Sequence, residues 1–293
     1  MGEIQLSRMM EYADELAEEG KLLHAAQIYH KIIKAEPEFI EAYYELSTIY
    51  LDWGKYQAAE RILLQALERN RENIEIIFLL GNLYLRIEQF DKAIELYKML
   101  EGKRLPQVHF NMGIAYFYKN DIQKAEKHLR LTMKYDPDFP QINESLGEIL
   151  IKKKAFSEAI KYLERSIKID PYSWINHYLL GVAYASNYHW KEAYDHFVTA
   201  IDIDPGEPNG WQKCGEVLIQ LHRFDEAEQY LKKALDLNPK LANAFVSLGT
   251  LSLQREEWDK AVTFFDKALD LEPDNSQAIE GKIKVKVLNK RMS

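Results

Sequence analysis

The sequence predicts an all-α array of repeated helical hairpins, and three observations predict it. Ala25, Ala59, Ala93, Ala125, Ala159, Ala193, Ala227 and Ala261 recur at intervals of 34, 34, 32, 34, 34, 34 and 34 residues. With this alanine counted as residue twenty of its unit, residue eight is small in all eight units: Ala13, Ser47, Gly81, Gly113, Gly147, Gly181, Gly215 and Gly249. Residue seventeen (Leu22, Tyr56, Phe90, Ile122, Phe156, Trp190, Phe224, Trp258) and residue twenty-four (Tyr29, Leu63, Tyr97, Leu129, Leu163, Phe197, Leu231, Phe265) are always large and apolar. A fixed period in this range marks one supersecondary unit, duplicated, that buries its apolar face only when a neighbour stacks on it.

The units follow one another as residues 6–39, 40–73, 74–105, 106–139, 140–173, 174–207, 208–241 and 242–275, within a single domain over 1–293. In each, apolar residues recur at helical spacing, as in Leu46, Tyr50 and Leu51 or Ala227, Tyr230, Leu231 and Ala234, so each unit is two amphipathic helices. Small residues at eight and twenty let the two backbones approach, and the bulky side chains fill the space around them. A larger residue at Ala159 is expected to wedge its hairpin apart at a cost of ~1–3 kcal/mol.

Proline closes six units, at Pro37, Pro137, Pro171, Pro205, Pro239 and Pro273, because it cannot extend the preceding helix. Arg71 and Leu105 replace it in the second and third units, and Thr132 and Ser166 take the place of alanine at residue 27 of the fourth and fifth. Two residues are missing at the third junction, Glu101 to Pro106, where Gly102 suits a left-handed helix stop and Pro106 a first helical turn. Residues 276–291 set Ala278, Ile279, Ile283, Val285, Val287 and Leu288 among lysines, as a terminal helix would if it covered the last hairpin and turned a polar face outward.

This register resembles the tetratricopeptide repeat over residues 6–275, nearly the whole chain. The resemblance implies a right-handed superhelical α-solenoid of helix-turn-helix repeats, with the first helix of each unit lining a concave face.

Composition bounds the function. Net charge is −8 and the pI is about 5.6, which disfavours a general nucleic-acid binder. The start, Met1 to Ser7, has no signal-peptide pattern, and Leu6 stands where a myristoylation motif wants Ser or Thr. No apolar run reaches membrane-spanning length, so no membrane insertion is expected. The single cysteine, Cys214, at residue seven of its unit, excludes an internal disulfide and suits a reducing cytoplasm.

The chain carries no nucleophile elbow, phosphate loop or dinucleotide fingerprint, so it reads as a non-enzyme without a cofactor. Its eight histidines include no pair three or four apart on one helix, which favours packing residues over a metal site. Acidic residues recur before the prolines because those are helix ends, as in Asp202 and Asp204. Trp190, Trp211 and Trp258 fall on core positions, leaving Trp53 and Trp174 for exposed contacts.

The family pattern projects residues 2, 5, 6, 9, 12 and 13 of each unit onto the concave face. Units one and two then supply Glu11, Asp14, Glu18, Glu41, Glu45 and Asp52 with Tyr44 and no base. Units three and four supply Phe78, Leu79, Phe110, Ile114, Phe117 and Tyr118 with Asn82 and Asn111, and unit six adds Tyr178, Leu179 and Val182. Exposed aromatics beside a few polar groups suit an interaction surface, and asparagine can pair with a peptide backbone in both directions. Leu79 and Ile114 also fit a packing role against the next helix. Units five to eight are mixed, with Gln141, Glu144, Glu148, Lys152, Gln212, Lys213, Glu216, Asn243 and Thr250. The clamp by which some family members hold acidic chaperone tails needs cations, and Phe78, Asn82, Asn111, Gln141 and Ser145 supply none.

The expected function is a non-enzymatic interaction scaffold or adaptor in the cytoplasm that holds a peptide or helix of another protein. Its groove residues are Glu41, Tyr44, Glu45, Phe78, Asn82, Phe110, Asn111, Phe117 and Tyr178. Two alternatives stand beside it. One is a targeting subunit of a separately encoded enzyme. The other is head-to-tail self-assembly, in which Lys282, Lys284, Lys286, Lys290 and Arg291 of one molecule enter the acidic groove mouth of the next.

Overall fold

The computed structural model describes residues 3–292, which hold 17 α-helices, one short 3-10 turn and no strand. The chain divides into two compact units, Met1–Ile142 and Asn143–Ser293. The first contains the hairpins α1 (Glu3–Glu18) with α2 (Leu22–Ala35), α3 (Ile40–Asp52) with α4 (Tyr56–Arg69), α5 (Ile74–Arg86) with α6 (Phe90–Leu100), and α7 (Pro106–Tyr118) with α8 (Ile122–Tyr135). The second contains α9 (Ile142–Lys152) with α10 (Phe156–Ile169), α11 (Trp174–Ser186) with α12 (Trp190–Ile203), α13 (Pro208–Gln220) with α14 (Phe224–Leu237), α15 (Ala242–Gln254) with α16 (Trp258–Leu271), and α17 (Ser276–Met292). Within each unit the hairpins stack in chain order, an all-α solenoid arrangement.

The small positions work as partners of named large ones. All eight alanines at residue twenty are 0% exposed. A Cβ built on Gly81, Gly113, Gly147, Gly181, Gly215 or Gly249 would lie 2.5–2.7 Å from the side chain at residue twenty-four of its own hairpin. Residue eight is therefore a socket for residue twenty-four, and the backbone at twenty lies close behind it: the Ala125 and Ala227 carbonyls come within 3.3 Å of the same built atoms.

The loop inside each hairpin has one conformation. Residue fifteen is left-handed in every unit, as Gly20, Gly54, Glu88, Asn120, Lys154, Tyr188, His222 and Glu256. The amide at sixteen then donates to the carbonyl at eleven at 2.8–2.9 Å, from Lys21 to Leu16 in the first hairpin and from Glu257 to Ser252 in the last, which satisfies the helix end. Only two of these residues are glycine, and an L side chain in this region costs about 1–2 kcal/mol. Lys154→Gly, at φ 61, is expected to stabilise the protein by up to about 1 kcal/mol and Gly54→Ala to destabilise it by a similar amount, read as shifts in urea midpoint.

The turns between hairpins explain the Asp or Asn at residue thirty-one of five units, four of them followed by proline. Asn70, Asp136, Asp170, Asp204 and Asn238 accept the amide two residues on through Oδ1 at 3.0–3.2 Å, so these side chains shape the turn rather than merely being solvated. Asn70 does this with Arg71 in place of proline. Polar-tipped aromatics at residue four seal the same turns: Tyr43 Oη donates to the Pro37 carbonyl (3.1 Å), His177 Nε2 to Pro171 (3.2 Å) and Trp211 Nε1 to Pro205 (3.0 Å).

Three local expectations are corrected. At the shortened junction Gly102 sits in the 3-10 turn Glu101–Lys103 and the left-handed residue is Arg104 at φ 55, while Pro106 opens α7 as expected. α9 begins at Ile142, two residues later than unit five, because Gln141 is left-handed (φ 61). The outer face of α17 is mixed rather than polar throughout: Ala278 and Val285 are buried inside, but Ile279, Ile283 and Val287 are 42%, 57% and 46% exposed beside the exposed Gln277, Glu280, Lys284 and Lys286. Thr132 and Ser166 need no alanine, since Thr132 Oγ1 donates to the His128 carbonyl (3.2 Å) and Ser166 Oγ to Asn176 Oδ1 (3.1 Å).

Candidate functional site

In the first unit the expected groove residues fall into separate groups. Glu41, Tyr44 and Glu45 of α3 line a pocket of about 300 Å3 with Ile40, Asn73 and Glu75. Glu41 and Tyr44 are exposed, and Glu45 is half-buried. Burial, then the neighbouring charge of Asp14, lifts the Glu45 carboxyl above its ordinary range. Asp14 itself accepts the Tyr29 hydroxyl at 2.6 Å. A cation entering here would relieve the repulsion between two carboxylates.

The same architecture recurs one hairpin pair later with amides. Tyr97 Oη donates to Asn82 Oδ1 (2.7 Å), and Asn111 Nδ2 donates to the same oxygen (2.7 Å) and reaches the Tyr97 hydroxyl at 3.3 Å. Asn82 and Asn111 are thus partly committed to one another, which the sequence did not reveal. Asn82 Nδ2 and Asn111 Oδ1 keep no partner among the described residues. Phe78 lies over Tyr97, centroids 6.1 Å apart.

The remaining residues lie apart from this group. Phe110 packs on Phe139 at 4.9 Å, so part of its face is already used. Phe117 contacts Tyr118 edge-on at 5.8 Å, and Tyr118 stacks on Phe90 at 5.4 Å. Leu79 and Ile114 are half-buried. Tyr178 belongs to the second unit, half-buried between Trp174 (6.1 Å) and Phe197 (5.8 Å), and burial raises its hydroxyl.

That second unit holds a larger pocket, about 430 Å3, among α11, α12, α13, α15 and α17. Val182, Trp190 and Val217 form apolar wall, and Lys213, Glu216, Ser247, Thr250 and Glu280 are among its polar groups. Lys213 Nζ lies 2.7 Å from Glu216 Oε2, and Gln212 Nε2 donates to Ser247 Oγ (3.1 Å). Burial opposes the Lys213 charge, but the adjacent carboxylate outweighs it and lifts the ammonium above its usual value. Lys213, Glu216 and Thr250, which share no chemistry by register alone, line this one pocket. Trp190 was missed because residue seventeen reads as core, whereas it is half-buried with one face on the pocket. Trp53 and Trp174 are half-buried rather than free, Trp53 carrying Lys55 Nζ at 4.5 Å over its ring.

Two features concern other chemistry. His109 and His128 face one another Nδ1 to Nδ1 at 3.1 Å, and His177 and His196 do so at 3.2 Å, each pair between the two helices of one hairpin rather than along a helix. Among the described residues no three His, Cys, Asp or Glu side chains converge as a metal ion would require, and no helix is long and apolar enough to cross a membrane. Burial raises the Cys214 thiol, which packs as an apolar side chain. Of the terminal cations, Lys282 is paired with Asp266 and Lys284 and Lys286 are exposed, while the side chains of Lys290 and Arg291 lie outside the described residues, as do Met1 and Gly2.

Comparison with known proteins gives a consistent result. Sequence models described as tetratricopeptide repeat match residues 51–109, 184–248 and 218–282, and a second such model matches 110–173. The chain is 30% identical over 120 residues to the BBSome complex member BBS4 of Bos taurus, a match covering 40% of this chain and 23% of that protein. It therefore spans less than a quarter of that relative's length. Among solved structures, the APC/C hetero-tetramer Cut9-Hcn1 superposes with a TM-score of 0.66 at 16% identity, over 97% of this chain and 57% of that one. A thermophilic tetratricopeptide repeat protein of Thermus thermophilus superposes with a TM-score of 0.55 at 19% identity, over 62% of this chain and 100% of that one. These structural likenesses concern the fold.

Proposed function

Because the chain belongs to the tetratricopeptide repeat family, we propose that it is a non-enzymatic scaffold that holds a peptide or helix of a partner protein against α3, α5 and α7. The observation that carries this reading is the Tyr97, Asn82 and Asn111 network, which leaves one amide donor and one amide acceptor open beside Phe78. A peptide backbone offers the complementary pair, and an apolar side chain of the ligand can cover the Phe78 ring. The acidic pocket of Glu41, Glu45 and Glu75 lies on the neighbouring helices and suits a Lys or Arg of the same ligand.

The experiment is selection from a displayed random peptide library. Enriched peptides are expected to pair a basic residue with a nearby aromatic or aliphatic one. Phe78→Ala should weaken them by ~10–100-fold, the range for an aromatic anchor, with helicity retained. Glu45→Gln should weaken them less and only at low salt. Peptides that bind wild type and Phe78→Ala equally would remove the site from this face.

A further inference from the structure

The strongest unassigned feature is the pocket of the second unit, which the partner site on α3, α5 and α7 does not use. Three charged side chains line it, Lys213 and Glu216 of α13 and Glu280 of α17, so it holds one more carboxylate than it holds cations. Lys213 is already answered, since its Nζ lies 2.7 Å from Glu216 Oε2. Glu280 is exposed and makes no ion pair among the described residues, and Lys284, one turn further along α17, is outside the lining.

The second oxygen of Glu216 is open as well. Its neighbour is Ser247 Oγ at 3.5 Å, but that hydroxyl also lies 2.9 Å from the Asn243 carbonyl. A hydroxyl has one proton to give, and the nearer acceptor holds it. Glu216 Oε1 is thus a half-buried carboxylate oxygen short of a donor, with the unpaired Glu280 in the same wall. The two together ask for a cation that carries several N–H donors.

The remainder of the wall selects among cations. Trp190, Val182 and Val217 are apolar lining, which a metal ion would leave uncovered, and among the described residues no third ligand joins the two carboxylates. A guanidinium can lie on an indole face while its edge donates to carboxylates, and its aliphatic stem covers the valines. An ammonium carries the same charge without the flat face or the fork of donors.

We propose that this pocket seats an arginine side chain from a peptide segment of a partner protein, with the guanidinium held by Glu216 and Glu280 against the Trp190 ring. This goes beyond the site on α3, α5 and α7 and shares no residue with it.

The test uses the full chain and fluorescent peptides of about ten residues, which span roughly 30 Å when extended. Glycine, serine and leucine surround one central position, which holds arginine, citrulline, lysine or glutamate. Citrulline keeps the shape of arginine without its charge. Fluorescence anisotropy should show saturable binding of the arginine peptide, about tenfold weaker binding with citrulline, several-fold weaker binding with lysine and none with glutamate. Glu280→Gln, at an exposed position, should weaken the arginine peptide by about fivefold or more. Lys213→Met removes the competing cation, frees both oxygens of Glu216 and should tighten binding. Phe78→Ala and Glu45→Gln should leave it unchanged. No saturable binding, equal affinity for citrulline or lysine, binding of the glutamate peptide, or wild-type affinity in Glu280→Gln would overturn the proposal. Weakening by Phe78→Ala or Glu45→Gln alone would overturn it as well, by moving the peptide to the first unit. Two further results would replace the occupant: N-acetylarginine amide binding as tightly as the peptide, which would make it a small guanidinium compound, and a wild-type dimer in sedimentation that Glu280→Gln dissolves, which would make it a second copy.

Discussion

Replacing Phe265 by alanine is expected to cost about 3–5 kcal/mol, the range for removing a buried aromatic side chain. Phe265 is 1% exposed and is held from two sides, in the socket of Gly249 on α15 and against Gly281 on α17. Few large side chains are gripped by two glycines, and neither socket can shrink onto the void, because each is backbone of a packed helix. The loss should be local in an array: α16 and α17 lose their amide protection in hydrogen exchange while α11 to α14 keep theirs. A double-mutant cycle identifies the contact itself. Gly249→Ala places a Cβ 2.6 Å from Phe265 Cε1 and should cost ~1–3 kcal/mol in the wild type but much less beside Phe265→Ala. Strict additivity of the two changes would show that the glycine is not small for the sake of the ring.

The same contact marks how far the sequence reaches. The period placed the starts of α3, α5, α7, α11, α13 and α15, since alanine and glycine at fixed register leave one way to pair two helices. It did not say that glycine at eight answers residue twenty-four, because a one-dimensional pattern lists small and large residues without their partners. The left-handed residue at fifteen was hidden for a related reason: only Gly20 and Gly54 announce it, and six other residues adopt it under the pull of the helix-ending hydrogen bond. At the groove, Glu41, Tyr44 and Glu45 share one register face and line one pocket. Register could not foresee that Tyr97 would occupy Asn82, that Phe139 would cover part of Phe110, or that Trp190 would show a face to the second unit's pocket. These outcomes depend on side chains 15 to 30 residues away in sequence, from Asn82 to Tyr97 and from Phe110 to Phe139. The histidine pairs do not show in the spacing along any one helix, because their members are 19 residues apart, at residue four and residue twenty-three of their hairpins.

Those pairs make stability fall on acidification, and the sign follows from geometry. An Nδ1 to Nδ1 contact holds one proton: one ring donates and the other must accept, so two charged rings are excluded. In the second unit the tautomers are fixed, because His177 Nε2 donates to the Pro171 carbonyl, which leaves the Nδ1 of its neutral ring to accept from His196. Stacked tyrosines, Tyr116 on His128 and Tyr184 on His196, shut out water on one side. Burial, then the partner ring, holds His196 below its ordinary value, and the same causes lower His128 to about 4. Burial also lowers His109, with Glu101 opposing and Lys127 reinforcing the shift; Lys98 adds to the lowering at His128, while Asp195 and Glu164 oppose it at His196. In the unfolded chain these rings titrate near 6.5. Between pH 6.5 and about 4 the unfolded state therefore binds protons that the folded state refuses, and stability is lost across that window. Glu45, Glu144 and Glu148 act in the opposite direction, since burial raises their carboxyls and acidification relieves them. The decisive quantity is accordingly a difference. Urea midpoints of wild type and of His109→Phe with His128→Phe, measured at pH 7.5, 6 and 4.5, should diverge as pH falls, with the variant losing less. Parallel pH profiles would mean that the pair carries protons as readily folded as unfolded, and that the facing Nδ1 atoms are not the acid-sensitive element of this hairpin.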